Sequence, residues 1–319
     1  MDASIPQQMK VAALDRFGGP EVIHMTSLPV PAPRAREILI ELDAAGIGVW
    51  DPYVREGELE EGPSLFPKVI GNDGAGTVVA VGDKVDRFRP GDRVYAYSMN
   101  GGFYAEYVAV SQDDAAPIPP GLDSDEAGAL GADGITALRG LDDELQLGHG
   151  DRLMIFGASG GIGHLAVQLA KRMGALVFAV ASGADGVALV RRLGADAAVD
   201  GHRDNVARAL RAFAPDGLDA ALVLAGRAEP LLDAVKRGGR IAYPNGVEPE
   251  PRAPAGRTAH GYDGTPGPDG FERLNQLIGT GPFHVEIGRS YRLEDAAMAH
   301  RQLEQHHLGK LAFKVSHSH

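Results

Sequence analysis

The stretch IFGASGGIGHLAVQLAKRMGA, residues 155–175, carries the clearest chemical signal in the chain. Ala158, Gly160 and Gly163 fall in the G-x-G-x-x-G spacing, with Ala at the first position, after an apolar run and before a helical one. Such a turn lets the backbone at Gly160 and Gly161 come close to a pyrophosphate. The N–H groups between Ser159 and Ile162, at the positive end of the helix that follows, then favour the anion. Gly163 lets that helix lie close to its strand. A glycine spacing alone is weak evidence; the strand–turn–helix context is what makes it strong. The competing reading is a tight strand–helix turn with no ligand.

In NAD sites an acidic residue ends the second strand, about 20 residues on, and binds the ribose 2′-hydroxyl. Here that strand, LVFAVAS, ends in Ala181 and Ser182 with no acid at its tip. The small hydroxyl leaves room for a 2′-phosphate, so the pattern favours NADP(H) over NAD. Cations for that phosphate are available at Arg191, Arg192 and Arg203, with Arg191 the one assigned to the site; each also reads as a solvated surface residue.

The chain around this turn has 319 residues, enough for two domains of ordinary size. Apolar residues make up 44% and charged residues 23%, the balance of a globular protein. A formal charge of −12 argues against broad binding to nucleic acid or anionic membranes. The lack of cysteine excludes disulfides, thiolate metal sites and thiol nucleophiles. No apolar run has signal-peptide character or membrane-spanning length, so the expectation is a cytoplasmic protein acting on small molecules. The eleven histidines show no H-E-x-x-H spacing, and His306, His307 and the HSH at 317–319 read as exposed tail residues.

The elements that must position the turn fall into two textures. The first ~120 residues are β-rich, with candidate strands at 10–14, 37–47, 76–82, 92–98 and 103–110 separated by Gly- and Pro-rich turns. PIPPGL at 117–122 reads as a rigid linker. Beyond it, a helix is predicted over 124–145, capped by Asp123 or Ser124. Strands and helices then alternate in units of about 25 residues, the mark of right-handed βαβ crossovers and a parallel sheet. EPLLDAVKRGG reads as a helix, 247–270 as loop-rich, and the closing LAFKV as a strand that rejoins the first sheet. The fold class is α/β, with a β-rich domain over 1–122 completed by 265–319 and a dinucleotide-binding domain over 123–264.

The whole pattern resembles the zinc-free branch of the medium-chain dehydrogenase/reductase superfamily, the quinone oxidoreductase-like proteins. GASGGIGHLAVQLAKRMGA, VIGNDGAGTVVAVG, GDRVYAYSMNGGFYAEYV, GITAL and GKLAFKV carry the likeness, which covers nearly the whole chain. It implies a GroES-like β-domain, a doubly wound Rossmann domain and an active site in a cleft between them. The zinc members place ligands at the positions of Gly48, Asn72 and near Ala132, none of which suits Zn²⁺.

Without a metal, the charge that develops when hydride arrives must be delocalised by the acceptor. A quinone or an α,β-unsaturated carbonyl does this, helped by a few hydrogen-bond donors. The resemblance puts that acceptor near GIGVWDPYVREG (46–57), with Tyr53 as a donor and Trp50, the only Trp, as an aromatic wall. Core packing is the competing reading for both rings. Asp51 reads as a brace for the turn. The family's Asn is replaced by Gly48. By the same resemblance Thr136 lies near the nicotinamide, Asn245 and Gly246 border its carboxamide, and Lys310 approaches the phosphates. The implied activity is NADPH-dependent quinone reduction. A 2-alkenal or enone reductase and a cofactor-binding scaffold with little catalysis are the alternatives. The implied assembly is a homodimer.

Overall fold

The structure is a computed structural model that describes residues 5–59, 62, 63 and 65–317. Ser318 and His319, at the end of the HSH tail, lie outside the described residues. The strands, in chain order, are β1 (Gln8–Leu14), β2 (Ile23–Pro29), β3 (Glu37–Ile47), β4 (Lys68–Val69), β5 (Asp73–Val81), β6 (Arg93–Tyr97), β7 (Tyr107–Ser111), β8 (Ala115–Pro117), β9 (Arg152–Phe156), β10 (Leu176–Ala181), β11 (Ala197–Asp200), β12 (Leu218–Val223), β13 (Val235–Pro244), β14 (Thr258–Tyr262), β15 (Ile287–Arg292) and β16 (Lys310–Lys314). The α-helices are α1 (Asp51–Glu56), α2 (Ser124–Gly128), α3 (Gly131–Leu138), α4 (Gly161–Arg172), α5 (Gly183–Arg192), α6 (Val206–Phe213), α7 (Glu229–Leu232), α8 (Pro268–Ile278) and α9 (Ala296–Gln302). Among the described residues, no helix is long and apolar enough to cross a membrane.

The chain divides into two compact units. The first comprises Met1–Ala132, Pro266–Glu272 and Ile287–His319, the second Asp133–Thr265 and Arg273–Glu286. PIPPGL therefore lies inside the first unit.

In the first unit, β3 is the organising strand. Its apolar run EILIELDAAGI pairs antiparallel with β5 along one edge. Along the other edge β7 takes its first half and β16 its second, with Leu311 opposite Ile47 and Lys314 opposite Ala44. The tail strand thus rejoins the first sheet, as its sequence suggested. The seven-stranded sheet runs β15-β16-β3-β5-β6-β8 with β7 on β3, and a smaller sheet orders β2-β1-β4. The core between them includes Leu14, Ile38, Ile40, Leu42, Phe103, Tyr104 and Phe313, all fully buried.

The second unit is an all-parallel sheet in the order β11-β10-β9-β12-β13-β14. The order reverses between β9 and β12, which makes the carboxyl ends of those strands the topological switch point of a doubly wound fold. Met154, Phe178, Val180, Ala221 and Ile241 form part of its core. Their strands are nearly continuous apolar runs because both faces of a parallel sheet are covered.

Two helices differ from the sequence expectation. The one predicted over 124–145 breaks up. Asp123 caps α2 in a capping box with Glu126, but α2 stops at Gly128, α3 begins at Gly131, and a wide π-type turn follows over Arg139–Glu144. Gly128 and Gly131 abut Ala44 and the Ala96 carbonyl so closely that a Cβ would meet them at 2.7 and 2.9 Å. The glycines that permit this approach also weaken the helix. EPLLDAVKRGG is helical only over α7. Its Val235 is buried and already pairs with Leu218 in the sheet, so β13 starts five residues before the predicted RIAYPNG strand. β14 lies within the segment read as loop; at the sheet edge it has little apolar alternation to betray it.

Candidate active site

In the second unit the chain reverses between β9 and α4. Gly157 has φ +89°, a left-handed conformation that only glycine adopts without strain. The reversal therefore falls one residue before Ala158, the residue that satisfied the motif spacing. A Cβ on Gly163 would lie 2.2 Å from the Gly157 carbonyl oxygen and 2.7 Å from Ala158 Cα, so the helix is seated directly on the turn. Gly160 is the N-cap of α4, and no side chain caps that first turn. Ser159 Oγ accepts a hydrogen bond from Ser182 N at 3.2 Å, which ties the turn to the tip of β10. Leu224 and Ala225, just past β12, pack beside Gly157. Ala158, Ser159, Gly160, Gly161, Ile162 and Ser182 are thus gathered at the switch point.

His164 locks this turn from behind. Its Nδ1–H donates to the Gly160 carbonyl at 2.9 Å, and its Nε2 accepts the Glu286 N–H at 3.0 Å. The bond accepted at Nε2 needs the neutral ring, and burial lowers its pKa to about 4. The sequence carried no signal for this, since a His on an amphipathic helix has no fixed meaning.

Arg191 is not brought to the ribose end. It sits in the last turn of α5, nine residues past Ser182, or about 13 Å along the helix. Its Nη2 donates to the Ala198 carbonyl at 3.1 Å. Arg203 is the arginine at the Ser182 end: Ala181 pairs with Asp200 across β10 and β11, and Gly201 N donates to the Ala181 carbonyl at 2.9 Å. The Asp200 carboxylate accepts backbone N–H groups from His202 and Gly183, which hold it below the usual carboxylate range. Arg203 Nε lies 3.9 Å from it and is 83% exposed.

Thr136, Asn245 and Gly246 meet around residues 262–264. Tyr262 donates its hydroxyl to the Thr136 carbonyl at 3.0 Å, and a Cβ on Gly264 would strike Thr136 Oγ1 at 2.0 Å. Asn245 N donates to the Tyr262 carbonyl at 2.8 Å, and its Nδ2 to Asp263 Oδ1 at 2.9 Å. Tyr262, Asp263 and Gly264 were missed because they fall in the segment read as loop.

In the first unit, Trp50 and Tyr53 are 37% and 44% exposed, with ring centroids 5.6 Å apart, so they form a solvent-facing pair rather than core. Beneath them Asp51 is buried. Its Oδ2 accepts the Gly48 N–H at 2.7 Å and the Tyr104 hydroxyl at 2.7 Å. Burial pushes the carboxyl up to about 6, against the pull of those two donors and of Lys310.

Lys310 is not a surface charge. It is 2% exposed, and its Nζ donates to Asp73 Oδ2 at 2.7 Å. Asp73, equally buried, also accepts the Ala132 N–H at 2.9 Å. The ammonium that was expected to approach the phosphates is engaged inside the first unit.

Residues 34–120 match the alcohol dehydrogenase GroES-like domain, and residues 161–252 match the zinc-binding dehydrogenase domain. The quinone oxidoreductase of Mus musculus is 30% identical over 312 residues, which cover 92% of this chain and 94% of the relative. The chain is a quinone oxidoreductase-like member of the medium-chain dehydrogenase/reductase superfamily. It is therefore an oxidoreductase. The NADPH-dependent alkenal/one oxidoreductase of Arabidopsis thaliana chloroplasts is 31% identical over 290 residues, 88% of this chain and 72% of that protein. A mycobacterial structure solved with NADPH superposes with a TM-score of 0.82 at 27% identity, covering 96% of this chain and 99% of the other.

In this oxidoreductase the three positions that carry ligands in zinc-dependent members hold other chemistry. Gly48 has no side chain and donates its N–H to Asp51. Asn72 Nδ2 donates to the Ser98 carbonyl at 2.9 Å, and Ala132 offers only a backbone N–H. Among the described residues, no three His, Cys, Asp or Glu side chains are grouped as a metal ion would require.

Proposed function

We propose that this oxidoreductase reduces a quinone, or a related conjugated carbonyl compound, at the expense of NADPH. The observation that carries the reading is the uncapped start of α4 over Gly160–Ile162, seated at the switch point of a doubly wound sheet. Backbone N–H groups there fit a pyrophosphate with no side chain in the way. NADPH, when bound, supplies the hydride. Ser182 leaves space for the 2′-phosphate, and Arg203 supplies the cation. Thr136, Asn245 and Gly246 hold the carboxamide side of the nicotinamide. Lys310 is left to structural duty, so the phosphates are held by backbone donors.

On the acceptor side, Trp50 offers a flat apolar face and Tyr53 a phenolic donor for the oxygen on which charge develops. The resemblance of the Arabidopsis relative supports a second reading, reduction of a 2-alkenal or enone, in which the same donor meets the carbonyl oxygen. The exposed edge strand β14 suits antiparallel pairing with a second copy as a homodimer.

The test is NADPH consumption by EDTA-treated protein, with an ortho-quinone in one assay and a 2-alkenal in another, and NADH in parallel. Turnover that survives EDTA and prefers NADPH is expected, and the faster acceptor ranks the two readings. Tight NADPH binding without turnover on either acceptor would overturn both in favour of a cofactor-binding scaffold.

A further inference from the structure

A buried polar array in the first unit lies beneath the exposed aromatic pair. Its hydrogen atoms can be assigned by elimination. Tyr104 has one hydroxyl hydrogen, and Asp51 Oδ2, an acceptor when ionised, takes it at 2.7 Å. The bond of 3.0 Å between Tyr104 Oη and His300 Nε2 must then be donated by the ring nitrogen. His300 Nδ1 is left with its lone pair, which accepts Arg55 Nη1–H at 2.9 Å. Arg55 Nε in turn donates to the Gly18 carbonyl at 2.8 Å. One donor direction thus runs from Arg55 through His300 and Tyr104 to Asp51. All four residues are at most 4% exposed.

The chain ends where it can matter. Asp51 is the first residue of α1, between Trp50 and Tyr53. The same oxygen that takes the Tyr104 hydroxyl also takes the Gly48 N–H, which closes the 48–51 turn. Two donors converge on one carboxylate, which a charged group satisfies far better than a neutral one.

We propose that Asp51 is a positioning residue for the acceptor: its carboxylate, oriented by Tyr104, His300 and Arg55, holds the turn that presents Trp50 and Tyr53, and a change of its charge is felt at that turn. The inference rests on the reading that Trp50 and Tyr53 meet the acceptor. A protonated Asp51 brings an O–H that needs a partner of its own, while Gly48 and Tyr104 still direct their hydrogens at it.

The neighbours of Asp51 leave it as the switching member. Arg55 on α1 and Lys310 on β16 are cations, and Lys310 favours the ionised carboxyl. Asp73 on β5 opposes it. On α9, burial and the Arg55 guanidinium push the His300 ring down to about 3, so it stays neutral. Tyr104 is held well above its ordinary range, by burial first and then by Asp51.

Trp50 is the only tryptophan in the chain, so intrinsic emission reports on the residue next to Asp51. The experiment follows Trp emission across roughly pH 5 to 8 in the wild type, Asp51→Asn and Tyr104→Phe, with thermal melts to show that each variant is folded. The wild type should titrate with a midpoint near 6, matching the raised carboxyl. Asp51→Asn should lose the transition. Tyr104→Phe removes a donor that favours the ionised form, so its midpoint should move up; a residue that merely filled space would leave it unmoved. If turnover is found, KM for the acceptor should change across the midpoint while kcat changes less. A flat wild-type trace, or a transition that persists in folded Asp51→Asn, overturns the proposal. The emission arm needs neither cofactor nor acceptor, so failure of the proposed reaction leaves this result readable on its own.

Discussion

Replacing Gly163 by alanine should damage cofactor binding by a calculable route. The added Cβ would lie 2.2 Å from the Gly157 carbonyl oxygen and 2.7 Å from Ala158 Cα, and both are backbone atoms with no flexible side chain to yield. Relief to an ordinary contact moves the start of α4 about 1 Å away from the turn. Overpacking of this kind costs about 1–3 kcal/mol of stability. In the proposed site the same shift would stretch N–H···phosphate bonds at Gly160 to Ile162, and losing one such charge-assisted bond is worth about 1.5–3 kcal/mol, or roughly a 10- to 150-fold rise in Kd. Gly160→Ala is the matched control. Its Cβ would meet only the Gly157 carbonyl oxygen, at 3.6 Å, and its φ of −81° suits any residue. The control should keep the wild-type melting temperature yet weaken NADPH binding, because in the proposed site the pyrophosphate packs directly against the backbone at Gly160. Calorimetric titration with NADPH and thermal melts of both variants separate the two effects. Wild-type affinity and stability in Gly163→Ala would refute the packing argument, and wild-type affinity in Gly160→Ala would place the phosphates elsewhere.

Three further outcomes are expected. Lys310→Met leaves Asp73 charged and buried, so urea denaturation should show a loss of about 3–5 kcal/mol, much of it recovered in the Lys310→Met/Asp73→Leu double variant. Ser182→Asp should weaken NADPH binding by like-charge repulsion while sparing NADH, read by parallel titrations. Acid stability should fall with His164, whose pKa is lowered from 6.5 to about 4 in the folded chain. A depressed folded value gives stability that is present above pH 6.5 and lost as pH falls through about 4, worth on the order of 3 kcal/mol. His300 acts in the same direction, while the raised Asp51 opposes them, since its contribution is lost as pH rises through about 6. Urea melts at neutral and acid pH should therefore show a steeper acid loss in the wild type than in His164→Gln.

Local pattern made part of this legible. EILIELDAAGI is an apolar run bounded by Pro-Arg and Gly, and β3 occupies 37–47, as read. The glycine turn and the β–α alternation are short-range signals of the same kind. What escaped the sequence was set by distance along the chain. Lys310 was expected at the phosphates, and its pairing with Asp73 was not visible because Asp73 is 237 residues away. Nothing in the sequence singled out His300, because Tyr104 and Arg55 lie 196 and 245 residues from it. Arg191 looked suitable by proximity in sequence, but the helix carries it away from the end that matters. β14 was invisible because an exposed edge strand needs no alternation. Gly157 was hidden because Ala158 satisfied the spacing first.

The return of β16 to β3 has a consequence for the order in which the protein is made. As the chain leaves the ribosome, β3 and β5 emerge early, but the strand that covers the second half of β3 comes more than 260 residues after it. Until then Asp73 lacks the ammonium of Lys310, Tyr104 lacks the ring of His300, and the flank of β3 stands open as a pairing template. The parallel sheet of the second unit, contiguous from β9 to β14, is complete before any of these partners exists. Vectorial synthesis thus leaves the earliest strands as the last to be finished. A ribosome stalled before residue 310 would hold a finished parallel sheet alongside a first unit whose β3 edge is open and whose Asp73 has yet to meet Lys310.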